Sequence, residues 1–461
     1  MSNQSKSNAV LVTIHTPNLS VEDLESSLQE LTRLVTTLGY MVVGQVRQKR
    51  SSDKYATVLG EGKLAELALW TSGSGKVSTS FKRKKNKAAL KRDAEAAEAD
   101  ESELVDSEDD SDSEPEFTGE QAQIVIVDCD LSPSQLRNLE SAVGVTVLDR
   151  TGVIIEIFGR HARTRAARLQ VEIAKLNYMA PRLRETGGSS ERQGGGIGGK
   201  GSGETSLELD KRRIRDRIKE LKTELASIGN EHQQRRARRE KELTVALVGY
   251  TNAGKSSLMR AMTGSEVLVA DKLFATLDTT IRPLYPETQP KVLMSDTVGF
   301  IKKLPHDLVA SFKSTLDEAV SASLLLFVVD SADPSFRSQL EVTQKVLAEV
   351  GATDVPSRLI LNKKDLLTIE DLTTLKMEYP DAVFISTKSK EDLKALRELI
   401  MSYFESNMID EDLFVPFAAQ GVIGEVRSRM RVLSEEYNSD GVILRVRSTS
   451  ENLTFVKKKL K

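Results

Sequence analysis

Cysteine is almost missing from this sequence. The 461 residues include one, Cys129, which excludes an internal disulfide and any cysteine-based zinc site. It follows the apolar run Ile124-Val125-Ile126-Val127, so the pattern predicts a buried structural thiol. Four histidines leave little material for a metal centre. Long hydrophobic runs are missing as well. Stretches such as Leu324 to Val329 fall far short of the ~20 apolar residues that span a bilayer. No basic-then-apolar stretch opens the sequence, so a cytoplasmic location, at most peripheral to a membrane, is expected.

The net charge of −3 conceals strong segregation. Residues 82–92 carry seven Lys and Arg without an acid, and residues 93–116 carry thirteen Asp and Glu without a base. Such a window cannot bury enough apolar surface to offset its ordering entropy, so 73–118 reads as a disordered insertion, a solvated loop without a partner in preference to a functional charged arm.

What is present is concentrated in Gly249-Tyr250-Thr251-Asn252-Ala253-Gly254-Lys255-Ser256, which fits G-x-x-x-x-G-K-[ST]. Leu243 to Val248 before it reads as a buried strand, and Ser257 to Thr263 after it as a helix. Glycines let backbone amides wrap a phosphate, and the helix N-terminus adds positive charge. Lys255 can reach the β- and γ-phosphates, and the Ser256 hydroxyl can ligate Mg2+.

Asn362-Lys363-Lys364-Asp365 ends the apolar Leu359-Ile360-Leu361, 106 residues after Ser256. The Asp365 carboxylate can accept from the N1–H and N2–H2 edge of guanine; adenine lacks that donor pair and would leave the carboxylate unsatisfied. Asn362 can bridge to the phosphate loop, and the Lys363 stem can lie along the base. Ser386-Thr387-Lys388, after Ala382 to Ile385, reads as a third base-contacting loop or as an ordinary β–α turn. Asp296-Thr297-Val298-Gly299 ends another strand, Lys291 to Ser295. Asp296 can hold Mg2+ through a water, and the Gly299 amide can bond the γ-phosphate and release once it is lost. Loops at the carboxyl ends of apolar strands are the product of a doubly wound parallel sheet. Residues 243–405 are therefore expected to form a P-loop GTPase domain, in which Lys255 and Gly299 carry the catalytic roles.

Around it, the length suggests about three domains. Residues 1–185 alternate β and α: strand Ala9 to Thr13, helix Val21 to Thr37, strand Met41 to Val46, strand Gln123 to Val127, helix Ser132 to Ser141, strand Val145 to Leu148. Gly60-Glu61-Gly62-Lys63 reads as a simple turn. Residues 161–183 and 204–241 read as two long helices packed antiparallel, the glycine-rich segment 187–203 forming their tip; 186–242 is taken as loop and linker. Arg160, Arg163, Arg165, Arg168, Arg182 and Arg184 flank one side of that tip, and Lys211, Arg212, Arg213, Arg215 and Arg217 the other. They read either as phosphate-contacting residues that follow irregular RNA or as solvated faces laced with local ion pairs. Residues 411–461 read as strand, helix, two strands and helix, a small α+β domain. No long heptad repeat demands a dimer, so a monomer is expected.

Several blocks resemble the HflX family of ribosome-associated GTPases across nearly the whole chain: Asp130 to Leu139, Val147 to Ile154, Ile157 through Glu172, Gly201 to Thr205, Phe274-Ala275-Thr276-Leu277-Asp278, and Asp296 to Phe300 followed by Leu304-Pro305-His306. The resemblance implies an N-terminal α/β domain with a helical linker, a GTPase domain and a C-terminal domain. It implies GTP as substrate, GDP as product, and binding to the large ribosomal subunit and its RNA with dissociation of stalled or stressed ribosomes. It marks Thr276, in preference to Thr279 or Thr280, as the switch threonine that ligates Mg2+ and senses the γ-phosphate. Asn252 resembles the asparagine of potassium-stimulated relatives, which adds K+ as a candidate. Phe300 stands where many small GTPases have a water-orienting glutamine, so slow hydrolysis by the free protein and stimulation by the ribosome are expected. Other readings are a switch regulating a protein partner such as a membrane protease, and an RNA-remodelling NTPase; Asp365 argues against ATP in the latter.

Overall fold

The computed structural model describes residues 7–17, 20–53, 55–77, 119–183, 206–239, 242–264, 273–274, 279–302, 313–406 and 408–460. The acidic stretch, the glycine-rich segment, Ala275 to Asp278 and Leu304-Pro305-His306 lie outside them. The chain divides into two compact units, one of residues 1–160 and 175–216, the other of residues 161–174 and 217–461.

The first unit is built on β1 (Asn8–His15), α1 (Val21–Thr37), β2 (Met41–Lys49), α2 (Glu61–Thr71), β3 (Ile124–Val127), α3 (Pro133–Val143), β4 (Thr146–Asp149) and α4 (Arg150–His161). Its four strands are parallel in the order β2-β1-β3-β4. Every residue of β3 is buried, as a strand covered on both faces must be. Serines set the helix starts: Ser20 accepts from Asp23 N, and Ser132 and Gln135 form a reciprocal capping box. Val10, Val12, Leu64, Leu67, Trp70, Val125 and Leu139 fill one core. A Cβ at Gly44 would lie 2.6 Å from the Trp70 ring, so the indole packs directly on bare backbone.

The structure departs from the sequence pattern at four places. Gly60 to Lys63 is not a simple turn: Gly60 caps α2 and the next three residues are its first turn. The helix expected over 161–183 is interrupted at Ala162-Arg163-Thr164. Arg150–His161 forms α4, Arg165–Met179 forms α5, and Ala180–Arg182 is a short 3-10 turn. Gly152 masks α4 in the sequence; here its amide donates to Asp149 Oδ1 at 2.8 Å, and a Cβ would lie 2.7 Å from the Tyr178 hydroxyl. The first residues of the expected insertion are fixed, since Gly75 N donates to Ala142 O at 3.0 Å and Val77 packs on the core. Cys129 is half-buried rather than buried.

The second long helix, α6, spans Ser206–Arg239. Arg165 pairs with Glu224 at 2.6 Å and Arg217 with Glu172 at 3.1 Å; as one partner advances along α5 the other recedes along α6, which is antiparallel packing.

The second unit holds the larger sheet: β5 (Leu243–Val248), α7 (Lys255–Thr263), β6 (Thr280–Pro283), β7 (Val292–Asp296), α8 (Lys313–Val320), β8 (Leu324–Asp330), α9 (Phe336–Glu349), β9 (Ser357–Asn362), α10 (Ile369–Glu378), β10 (Val383–Phe384) and α11 (Lys390–Glu405). The order is β10-β9-β8-β5-β7-β6, parallel except for β6. Val245, Leu247, Leu258, Met294, Leu326, Ile360 and Ile400 belong to one core cluster that leaves the carboxyl ends of β5, β7 and β9 to carry loops. β11 (Ile409–Pro416), α12 (Gln420–Arg429), β12 (Arg431–Tyr437), β13 (Gly441–Ser448) and α13 (Ser450–Leu460) add a three-stranded antiparallel sheet, order β11-β13-β12, with its own core. No helix among the described residues is long and apolar enough to cross a membrane.

Candidate functional site

The loop between β5 and α7 is shaped by two glycines. Gly249 has φ +151° and Gly254 φ +94°, and a Cβ would lie 2.1 Å from Val328 O at the first and 2.2 Å from Asn362 Nδ2 at the second. Only glycine allows so close an approach of loop and neighbouring strands. Asn252 adds a left-handed residue, φ +63°. Lys255, first residue of α7, is 5% exposed and donates from Nζ to Gly249 O at 3.0 Å and Tyr250 O at 2.7 Å. Burial pushes its ammonium down to about 8, with Asp296 opposing. An arriving phosphate favours the charged form, so the residue is suited to bind an oxyanion.

Ser256 donates from Oγ to Asp296 Oδ2 at 2.7 Å, which unites the phosphate loop with the end of β7. Asp296 and Thr297 are fully buried, and Thr297 Oγ1 is tied to Leu247 O at 2.7 Å. Val298 is buried behind them. Gly299 passes so near the loop that a Cβ would meet Thr251 Cγ2 at 2.8 Å and Lys255 Nζ at 3.0 Å. Phe300 is 2% exposed; its amide donates to Gly249 O at 3.2 Å and its carbonyl accepts from Thr251 N at 2.8 Å. Phe274 is buried with φ +58°, while Ala275, Thr276, Leu277 and Asp278 lie outside the described residues. An oxygen-only donor set of hydroxyl and carboxylate suits Mg2+, a hard cation that keeps several waters.

The second half of the site lies at the ends of β9 and β10. Asn362, fully buried, donates from Nδ2 to Ala253 O at 2.9 Å and so fastens the base loop to the phosphate loop. Its main-chain carbonyl is held by Ser331, from N at 3.0 Å and from Oγ at 2.6 Å. Lys363, at φ +63°, pairs with Asp330 at 2.5 Å. Asp365 Oδ1 accepts Ser386 Oγ at 2.7 Å and Oδ2 accepts Lys388 Nζ at 2.9 Å. The hydrogen bonds from Lys388 and then Ser386 hold the Asp365 carboxyl below the usual carboxylate range. Thr387 stands between these two partners in the same loop.

The structure therefore brings the phosphate loop, Asp296 to Gly299, Asn362 to Asp365 and Ser386 to Lys388 to one edge of the sheet. Reading the sequence missed Asp330, Ser331 and Asp392. Asp330 ends an apolar strand, and Asp392 completes the pattern Ser389-x-x-Asp392 at a helix start; both were visible signals. The basic flanks resolve in part into local pairs: Arg182 with Asp149, Arg213 with Asp210, and Arg217 with Glu172 and Glu220, beside Arg165 with Glu224. Arg184 lies outside the described residues.

Residues 25–79 and 109–159 match a family described as "GTP-binding GTPase N-terminal", residues 161–239 one described as "GTP-binding GTPase Middle Region", and residues 244–363 one described as "50S ribosome-binding GTPase". GTPase HflX of Gluconacetobacter diazotrophicus is 55% identical over 98% of this chain and 97% of its own length. GTPase HflX of Escherichia coli is 36% identical over 95% and 93%. Among solved structures, a GTP-binding protein from Sulfolobus solfataricus in complex with GDP is 21% identical, covers 86% of this chain and 98% of its own, and aligns with a TM-score of 0.41. With relatives this similar along almost its full length, and with these loops gathered at one edge of its sheet, the chain belongs to the HflX family of GTPases and is a GTP hydrolase.

Proposed function

We propose that this GTPase binds the large ribosomal subunit and its RNA in the GTP form and separates stalled or stressed ribosomes, acting as a monomer in the cytoplasm. The observation that carries the reading is the match of residues 244–363 to GTPases described as 50S ribosome-binding, inside a chain similar to HflX over nearly its whole length. Lys211, Arg212 and Arg215 support it from the middle region, since all three are exposed on α6 and suited to phosphate contact. Sedimentation of intact ribosomes with this protein and a non-hydrolysable GTP analogue is expected to convert them into separated subunits, with the protein on the large one. Unchanged ribosome peaks would remove the proposal.

In the mechanism, the phosphate-loop amides from Gly249 to Ser256 and the Lys255 ammonium bind the β- and γ-phosphates, and Asp365 with Ser386, Lys388 and Asn362 holds the guanine. Lys363 and Lys364 pin the base loop through Asp330 and Asp392. Ser256, which donates to Asp296, would ligate Mg2+ together with Thr276, and the ion would neutralise charge developing on the phosphates. Gly299 would offer its amide to the γ-phosphate, and only a residue without a side chain passes this close to Thr251 and Lys255. Phe300 gives the attacking water no hydrogen bond, and its buried ring cannot be exchanged for a polar group from the same position. Turnover by the protein alone is therefore expected to be slow and to rise by about a hundredfold or more with large subunits, of the order that one positioned catalytic group contributes. The same assay in KCl and NaCl tests Asn252: a higher rate in KCl supports a bound K+, and equal rates remove it. Fast hydrolysis without ribosomes would contradict the role given to Phe300.

A further inference from the structure

α11 begins directly after the third base loop. Its cap, Ser389, accepts from Asp392 N at 3.2 Å, which directs the Asp392 side chain back toward both base loops. Asp392 Oδ2 accepts the Ser386 amide at 2.8 Å, and Oδ1 accepts Lys364 Nζ at 2.5 Å. Lys364 precedes Asp365 in the chain, and Ser386 donates its hydroxyl to Asp365. One carboxylate thus fastens the residue before the base-reading aspartate and the residue that bonds it. Burial works to raise the Asp392 carboxyl, but Lys364 and the Ser386 amide outweigh it and hold the group below the usual range. At the far end of α11, Glu405 takes Arg431 and Arg447 from the C-terminal sheet, so the helix carrying Asp392 is anchored at both ends.

We propose that Asp392 is a positioning residue for guanine selection: by joining Lys364 to Ser386 it fixes the angle at which Asp365 meets the N1–H and N2–H2 edge of the base. The inference rests on Asp365 being the base-reading carboxylate. Hydrogen bonds are steeply directional, so a carboxylate that swings loses the outer of its two base contacts first. That contact is the 2-amino group, which hypoxanthine lacks.

The test compares Asp392→Asn, Lys364→Met and Asp365→Asn with the unaltered chain, by steady-state hydrolysis of GTP and ITP and by calorimetry with GDP and IDP. Base contacts are uniform in ground and transition states, so Asp392→Asn is expected to raise KM for GTP about tenfold with kcat unchanged. The preference for GTP over ITP should fall by about threefold or more, in keeping with weakening of one hydrogen bond. Lys364→Met should do the same to a smaller extent, because the bond from Ser386 to Asp392 survives. A change in general stability alone would weaken GTP and ITP equally, and that result overturns the inference. So does an unchanged GTP/ITP ratio in Asp392→Asn when Asp365→Asn alters guanine affinity. If Asp365→Asn itself leaves guanine affinity untouched, the base-pocket reading fails first. Should Asp392→Asn not fold, Lys364→Met decides: a reduced ratio supports the proposal and an unchanged one overturns it.

Discussion

Asp365→Asn is expected to weaken GDP and GTP binding by about two to three orders of magnitude and to create affinity for xanthine nucleotides. The carboxylate has about four lone-pair positions. Ser386 Oγ and Lys388 Nζ occupy one on each oxygen, which leaves one on each for the base. Guanine brings two donors, N1–H and N2–H2, and both are then satisfied by an ionised acceptor. Asparagine keeps one acceptor and presents an amide donor at the other position, where it opposes a second donor. A charge-assisted hydrogen bond contributes about 1.5–3 kcal/mol, and leaving a buried donor unmet costs about 1–3 kcal/mol more, which together amount to the stated loss at about 1.4 kcal/mol per factor of ten. Xanthine carries a carbonyl where guanine has its amino group, so the same amide donor becomes a match. Calorimetry with GDP and XDP measures both effects. A GDP affinity within about threefold of the unaltered chain would show that purine choice is made elsewhere, since that is far below the loss of one such bond.

The parts of this site that were legible in the sequence share a physical cause. Strands buried on both faces read as apolar runs, and their carboxyl ends are where a doubly wound sheet exposes loops. Gly249 to Ser256, Asp296 to Gly299 and Asn362 to Asp365 each follow such a run, so their convergence on one edge could be anticipated without coordinates. The sheet order could not. The middle position of β5, between β7 and β8, depends on pairings between strands about 50 and 80 residues away, which no local pattern encodes. α4 was hidden for a different reason. Its glycine at 152 signals a break, yet the tertiary structure uses that bare Cα to admit Tyr178. Asp330 and Asp392 stand at legible places, a strand end and a helix start, but their pairing with Lys363 and Lys364 exists only once β8, β9 and α11 are packed.

The same distinction governs Arg150, an arginine at the head of α4 that the sequence presents as one more cation. In the structure it is 1% exposed, pairs with Asp128 at 2.7 Å and with Glu30, and donates to Ser27 Oγ at 3.2 Å. It ties α1 to the carboxyl ends of β3 and β4, and so closes the first unit where its sheet would otherwise present buried carboxylates to one another. Arg150→Met is expected to cost about 3–5 kcal/mol, because removing one member of a buried ionic cluster leaves the opposite charges without it in a poorly solvating interior. That is a large share of the ~5–15 kcal/mol of a typical domain. The chain's single tryptophan, Trp70, lies in the core of this unit, so fluorescence-monitored urea unfolding reports on it directly. GDP affinity should be retained, since the phosphate and base loops belong to the second unit. Adding Asp128→Asn and Glu30→Gln to Arg150→Met should recover part of the loss, because the repulsion and the desolvation cost leave together. A Trp70 midpoint unchanged by Arg150→Met would mean that the cluster contributes nothing net and that α1 is held by its apolar face alone.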